Sequence, residues 1–378
     1  RRARGRQKMV ERPKSPVFIV GCHRSGTNLM YDTLISSGGF ARVETPLYAY
    51  ETLLPRFGNF AVREHRAKLM DVWLRSRPFR DSGLAAIEIR SRVMNECRSA
   101  GDFLCIVMGE IARLQNAERW AVWGPDNVLH IPRIKRDIPS ARFIHVVRDG
   151  RDVALALSKM CALDRRPPAM DPCPRPLAAA LGRSRALRRW LSDHGRAVLA
   201  AAIFWQRMVR EGRRNGRLFP DHYVEIHYED LVGRPRQTLS ALSDFIGRGI
   251  DYRKVRAERT GTVGEPNSTF PAELENGGFN PIGRWKTHLS EREVRGIESL
   301  AGDCLKEFGY GLARPGSGRP ELAARLTSVL YPRVLDLKCW LKYYTPLSQL
   351  VSLRGLELGD PPARNALDLA PASQPSRN

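Results

Sequence analysis

One short stretch constrains the fold of this chain more than any other. Pro16 opens an apolar run, Val17-Phe18-Ile19-Val20, that ends at Gly21. Cys22-His23-Arg24-Ser25-Gly26-Thr27-Asn28 follow, and then Leu29, Met30, Leu34 and Ile35 at helical spacing. A short continuous apolar run reads as a strand buried on both faces, and the periodicity behind the loop reads as a helix. Two more segments repeat this unit. Arg142–Val147 leads through Arg148-Asp149-Gly150-Arg151-Asp152 to Val153, Ala154, Leu157 and Met160. Tyr223–Tyr228 leads through Glu229-Asp230-Leu231 to Leu239, Leu242, Phe245 and Ile246. More helices are expected in 61–118 and 196–214. Strands alternating with helices predict an α/β class, a three-layer arrangement with a parallel sheet flanked by helices.

Composition sets the outer bounds. With 378 residues, 42% hydrophobic and 27% charged, the chain can bury a sizeable core and is not a disordered, collagen-like or coiled-coil sequence. Its apolar runs fall far short of the ~18 residues that cross a bilayer, and no signal-peptide core lies near the start. No membrane span is therefore expected, and the cytoplasm is the expected compartment. The net charge is +22, and 52 of the 62 basic residues are Arg. Such a surface attracts anions, although a coding bias toward Arg explains it equally well. No aromatic-basic motif or zinc finger points to nucleic acid. The seven cysteines form no CxxC pair, which argues against a zinc site and for reduced structural thiols. Along the chain, 1–14 reads as a flexible arm and 15–312 as the main domain, with Arg- and Pro-rich 161–195 as a lid or insertion. A linker at 313–320 opens a helical extension, 313–358, and 359–378 reads as a disordered tail.

Gly21 to Gly26 has the Gly-x4-Gly skeleton of a phosphate loop, in which backbone N–H groups and a helix N-terminus converge on an anion. A nucleoside triphosphatase would place Lys after the second glycine. Thr27 stands there instead, and the cation is Arg24, inside the loop. A triphosphatase also needs an acid at a strand end for Mg²⁺, but the strand 142–147 ends in Arg148. Glu229-Asp230 remains as a metal acid or simply as an acidic pair at a helix start. The loop thus reads as an anion site without metal apparatus. Arg148 supplies a second anion contact on the same sheet edge, and the two together suggest a nucleotide phosphorylated at two positions.

These residues resemble the sulfotransferases that use 3′-phosphoadenosine 5′-phosphosulfate (PAPS), whose fold is P-loop NTPase-like. Arg24-Ser25-Gly26-Thr27 is similar to their 5′-phosphosulfate loop, and Val147–Val153 to their 3′-phosphate segment. Gly283-Arg284-Trp285-Lys286 followed by Leu289 is similar to their C-terminal cofactor motif, and Tyr228-Glu229-Asp230-Leu231 to another recurring segment. The text around Arg24 resembles the bacterial and tyrosylprotein branches. The resemblance implies PAPS as donor, no metal, and a small-molecule, glycan or peptide hydroxyl as acceptor. The Arg-rich lid hints at an acidic glycan or acidic peptide.

What the resemblance implies for single residues follows the motifs. Arg24 clamps the leaving phosphate, and Ser25, Gly26, Thr27 and Asn28 hold the 5′-phosphosulfate; Ser25 and Thr27 also suit helix capping. Arg148 binds the 3′-phosphate. The family's serine eight residues later is Ala156 here, which leaves Ser158 as the second ligand. Tyr228, Trp285 and Lys286 contact the nucleotide, with core packing as the competing role for Trp285. Arg151 is a partner for Asp152 or a surface charge. The general base is Glu44, which otherwise pairs with one of the arginines, or else His130, otherwise a structural histidine. The family's lysine near Trp123-Gly124-Pro125-Asp126-Asn127 is missing, and Asp126 is free to orient an acceptor or a neighbouring arginine. The competing readings are a P-loop kinase or triphosphatase and a non-catalytic nucleotide-binding relic of the fold.

Overall fold

The computed structural model describes residues 15–164, 194–265, 280–313 and 322–359. The arm 1–14, residues 165–193 of the lid, 314–320 of the linker and 360–378 of the tail lie outside the described residues, as do 266–279 and 321.

Five strands form one all-parallel sheet, β1 (Val17–Gly21), β2 (Phe40–Ala41), β3 (Arg119–Trp123), β4 (Arg142–Val147) and β5 (Tyr223–His227), in the order β2-β3-β1-β4-β5. β1 is fully buried at its centre. Its side chains alternate between two hydrophobic cores, as the two-residue period of a strand requires. Phe18 and Val20 join Trp120, Phe143 and Val147 on one face, beneath the helices Ala100–Leu114, Gly150–Asp164 and His194–Gly216. Val17 and Ile19 join Ile144, Val146, Met30 and Leu34 on the other, beneath the helices Thr27–Ser36 and Pro235–Ile246. The architecture is the three-layer α/β arrangement expected from the sequence.

The topology places the site. From β1 the chain crosses toward β2 and β3, and from β4 it crosses the other way to β5. β1 and β4 are neighbours, so their outgoing loops part and leave a crevice at the carboxyl ends of the strands, where sheets of this kind bind ligands.

Beyond the main domain, a helix spans Leu322–Tyr344 with Pro332 inside it and packs on the helix His194–Gly216. Arg207 pairs with Asp336 across that contact. The last turn reaches back to the sheet edge. Tyr343 stands edge-on to His130 at 4.8 Å, and Lys342 is buried. Among the described residues, no helix is long and apolar enough to cross a membrane.

Candidate active site

The turn after β1 is shaped by its glycines. Gly26 has φ +97°, and a Cβ there would lie 2.3 Å from the Tyr228 ring. Only glycine lets the loop lie flat on that ring. Arg24 adopts φ 65° despite its side chain, a strained conformation of the kind found at ligand sites. Gly26 caps the helix Thr27–Ser36 without a side-chain hydrogen bond. The first-turn amides are therefore free for an anion, since the opening N–H groups of a helix have no partner within it. The Ser25 hydroxyl is fully buried and has no hydrogen-bond partner.

Arg148, at the end of β4, lies against this turn. Its guanidinium donates to the Arg24 carbonyl at 2.9 Å and to the Pro281 carbonyl at 2.5 Å, and sits 4.5 Å over the Tyr228 ring. Its Nε is buried without a partner. Burial, and then the charge of Arg148, lower the Arg24 pKa. Neither guanidinium forms an ion pair among the described residues. Two guanidinium groups without an ion pair, close enough to act on one another, give this turn a positive potential that favours an anion.

Both open into a cleft of about 530 Å³ whose lining includes His23, Arg24, Gly26, Thr27, Asn28, Arg148 and Tyr228. Beyond Tyr228 the cleft turns apolar, with Leu231, Val232 and Leu239 from the helices after β5 and Tyr252, Val255 and Val263 from segments packed on the helix Thr27–Ser36. Toward β3 it is bounded by His23 and Pro125.

The remaining sequence-derived residues lie elsewhere. Ser158 is buried, and its hydroxyl donates to the Leu155 carbonyl of its own helix at 2.9 Å. Two residues past position 156 is about 200° around a helix, so a serine at 158 faces away from the side on which 156 lies. Trp285 is buried under Arg151, whose guanidinium is 3.8 Å from the ring, and Lys286 is exposed. Their segment is nonetheless tied to the site's frame. The Asp152 carboxylate accepts the Gly283 amide at 2.7 Å and the Trp285 amide at 2.9 Å. Arg151 takes neither of the roles expected for it. It is buried, and it pairs with Asp149 at 2.8 Å and Glu298 at 2.7 Å, because Asp152 is already committed to those amides.

Neither sequence-derived base lines the cleft. Glu44 is exposed and paired with Arg42 at 2.8 Å. The His130 Nε2 is buried without a partner beside Tyr343. Burial, and then Lys342, push its pKa down to about 4. Asp126 orients no arginine; it accepts a hydrogen bond from His23 Nε2 at 3.0 Å. Burial works against its charge, but the His23 ring, Lys342 and His130 prevail and hold it at about 2. His23 escaped the sequence reading. The signal was available in the register: Ile19 pairs with Trp123, so residues 23 and 126 leave adjacent strands at the same level. Glu229 accepts the Asp149 amide and the Tyr310 hydroxyl, each at 3.0 Å, and so braces the turn after β4. Among the described residues, no three His, Cys, Asp or Glu side chains converge to hold a metal ion.

The fold defines an α/β protein with a cleft at the switch point of its sheet that two arginines line. A sequence model of the sulfotransferase family matches residues 16–252, well over half of the chain, and the chain belongs to that family. Carbohydrate sulfotransferase 2 of Mus musculus is 26% identical over 91 residues, 24% of this chain and 17% of that protein. The Homo sapiens protein matches to the same extent. The matched stretch is thus only 17% of these relatives' length. The sulfotransferase domain of the curacin biosynthetic pathway is similar at 17% identity, covering 80% of this chain and 99% of its own, with a TM-score of 0.48. The sulfotransferase domain of the Synechococcus PCC 7002 olefin synthase is 18% identical, covering 78% of this chain and 98% of its own, with a TM-score of 0.45.

Proposed function

We propose that this sulfotransferase takes its sulfuryl group from PAPS and passes it to a hydroxyl of a carbohydrate, a tyrosyl residue or another metabolite. One observation carries the reading: Arg24 and Arg148, both without an ion-pair partner among the described residues, meet at a glycine turn with a buried, unpartnered Ser25 hydroxyl. The cradle suits a phosphosulfate, and the second guanidinium suits a phosphate elsewhere on the same nucleotide. The apolar end of the cleft, with Tyr252 and Leu231, suits a purine ring.

The donor supplies a sulfur already bonded to a phosphate leaving group. The protein's share is position and charge. The amides at the start of the helix Thr27–Ser36, with Ser25 and Thr27, hold the anion. Arg24 stays protonated at working pH and stabilises the negative charge that builds on the leaving phosphate. Arg148 fixes the far phosphate and also ties the Arg24 carbonyl, so one side chain binds ligand and shapes the loop. Tyr228 floors the site beneath Gly26.

Calorimetry with 3′,5′-ADP, the desulfated product, tests the reading. Binding is expected with EDTA present and to exceed that of ATP. R24A and R148A are each expected to weaken it about tenfold or more, the scale of one charge-assisted hydrogen bond. Absence of any heat with the intact, folded chain would remove PAPS as the donor. Transfer from radiolabelled PAPS to a panel of neutral and acidic acceptors then defines the acceptor class.

A further inference from the structure

The proposed transfer needs a group that takes the acceptor's proton, and neither Glu44 nor His130 reaches the cleft. One side chain that does reach it has the required chemistry. His23 precedes Arg24 in the loop, lines the same cleft, and keeps a quarter of its side chain exposed. Its Nε2 is 3.0 Å from Asp126 Oδ1, and no described residue is bonded to its Nδ1. In sheet order β3-β1-β4-β5, His23 and Pro125 follow β1 and β3 on one side of the cleft, whereas the apolar residues Leu231, Val232 and Leu239 follow β5 on the other. A nucleotide gripped by Arg24 and Arg148 with its base toward β5 leaves its sulfuryl end toward His23.

Behind Asp126 lies a buried polar layer: Glu51, whose Oε2 has no partner, together with His130 and Lys342. Nothing in that layer competes for the Asp126–His23 hydrogen bond. An ionised carboxylate on Nε2 fixes the tautomer with hydrogen there, which leaves the lone pair on Nδ1, the arrangement of a general base with its orienting acid.

We propose that His23 is the general base of the transfer and that Asp126 is its positioning residue. The inference rests on the PAPS reading above. In the step it describes, the acceptor hydroxyl gives its proton to His23 Nδ1 and its oxygen bonds to sulfur. The bond from sulfur to the 5′-phosphate oxygen breaks, with the electron pair staying on the phosphate. The imidazolium is held by Asp126 until its proton returns to solvent.

The test uses the full chain, radiolabelled PAPS, and two kinds of acceptor: water, read as sulfate release, and a panel of phenols and sugars. Calorimetry with 3′,5′-ADP accompanies each variant. H23Q and H23A are expected to bind 3′,5′-ADP as the wild type does while transfer falls about 100-fold or more, the usual contribution of a positioned base. Added imidazole is expected to restore part of the H23A rate. For Asp126, ¹⁵N NMR of the His23 ring is expected to show the Nε2–H tautomer in the wild type and a mixture in D126N, with D126E returning toward the wild-type spectrum. The proposal is overturned by an H23Q variant that transfers at the wild-type rate. It is also overturned by H23 variants that lose 3′,5′-ADP affinity in step with transfer, or by a wild-type ring carrying hydrogen on Nδ1 at pH 7.5. A wild type that binds 3′,5′-ADP yet turns over none of these acceptors counts against the dyad. A wild type that binds no 3′,5′-ADP removes the donor reading first.

Discussion

Replacing Arg151 with Met removes a charge while keeping the aliphatic stem. The guanidinium meets Asp149 with two nitrogens, at 3.0 and 2.8 Å, and Glu298 with a third at 2.7 Å. The three side chains are only 4%, 11% and 7% exposed, so water cannot take over the pairing. Removing one member of a buried ionic cluster costs about 3–5 kcal/mol, because charges are left buried without compensation. Loss of the contact with the Trp285 ring adds about 1 kcal/mol. Unfolding entropy for 378 residues is about 0.8 kcal/mol/K, so R151M should melt about 5 °C below the wild type. Urea titration followed by tryptophan fluorescence, beside scanning calorimetry, measures both quantities. The double variant R151M/E298Q should recover at least about 1 kcal/mol, since it neutralises one stranded carboxylate. A loss below 1 kcal/mol in R151M, or no recovery in the double variant, would show that the cluster is solvated and that the reasoning from burial is wrong.

Two further predictions concern the frame around the cleft. Burial, with Asp126 nearby, pushes Glu51 up from 4.5 to about 7. A raised carboxyl stabilises the fold below the unfolded value, and that contribution is lost as pH rises to about 7; the loss totals about 3 kcal/mol. E51Q should therefore gain on the wild type progressively between pH 4.5 and 7 in urea titrations, and a pH-independent difference between them would refute the assignment. D152A takes away the carboxylate that accepts the Gly283 and Trp285 amides, and should cost about 2–3 kcal/mol. Hydrogen exchange at those two amides should accelerate, and unchanged protection would show that the 283–286 turn is held by something else.

Much of the fold was readable because its central strands are extreme. β1 and β4 each carry a largely apolar run that leads into a glycine or charged turn, a pattern with few alternatives. β5, Tyr223-Val224-Glu225-Ile226-His227 at the sheet edge, showed itself instead by its β-branched residues and the acidic helix start behind it. β2 and β3 were not readable for opposite reasons. Phe40–Ala41 is too short to show a period, and Arg119–Trp123 starts with a charge whose partner, the Ile246 carbonyl, comes from 127 residues away. The phosphate loop and Arg148 were legible because backbone geometry, which glycine placement reveals, does most of their work. The proton-accepting side was less so. A glutamate in a loop announces neither its partner nor its exposure, and Glu44 turned to Arg42. His23 and Asp126 stand 103 positions apart, and only the pairing of β1 with β3 brings them together. Arg151 shows the same limit: three carboxylates lay within reach in sequence or space, and the two it chose depend on which of them already held amides.

The docking of the last long helix has a practical consequence. Lys342 and Tyr343 wall the compartment that holds His130, Asp126 and Glu51, although they follow the stretch shared with the family by some ninety residues. A fragment trimmed at the linker would keep the whole stretch shared with the family, 16–252, yet it would open that compartment to solvent. The ionic balance behind the phosphate loop is thus sealed by the end of the chain, and expression boundaries drawn from family alignments alone would cut through the back wall of the site.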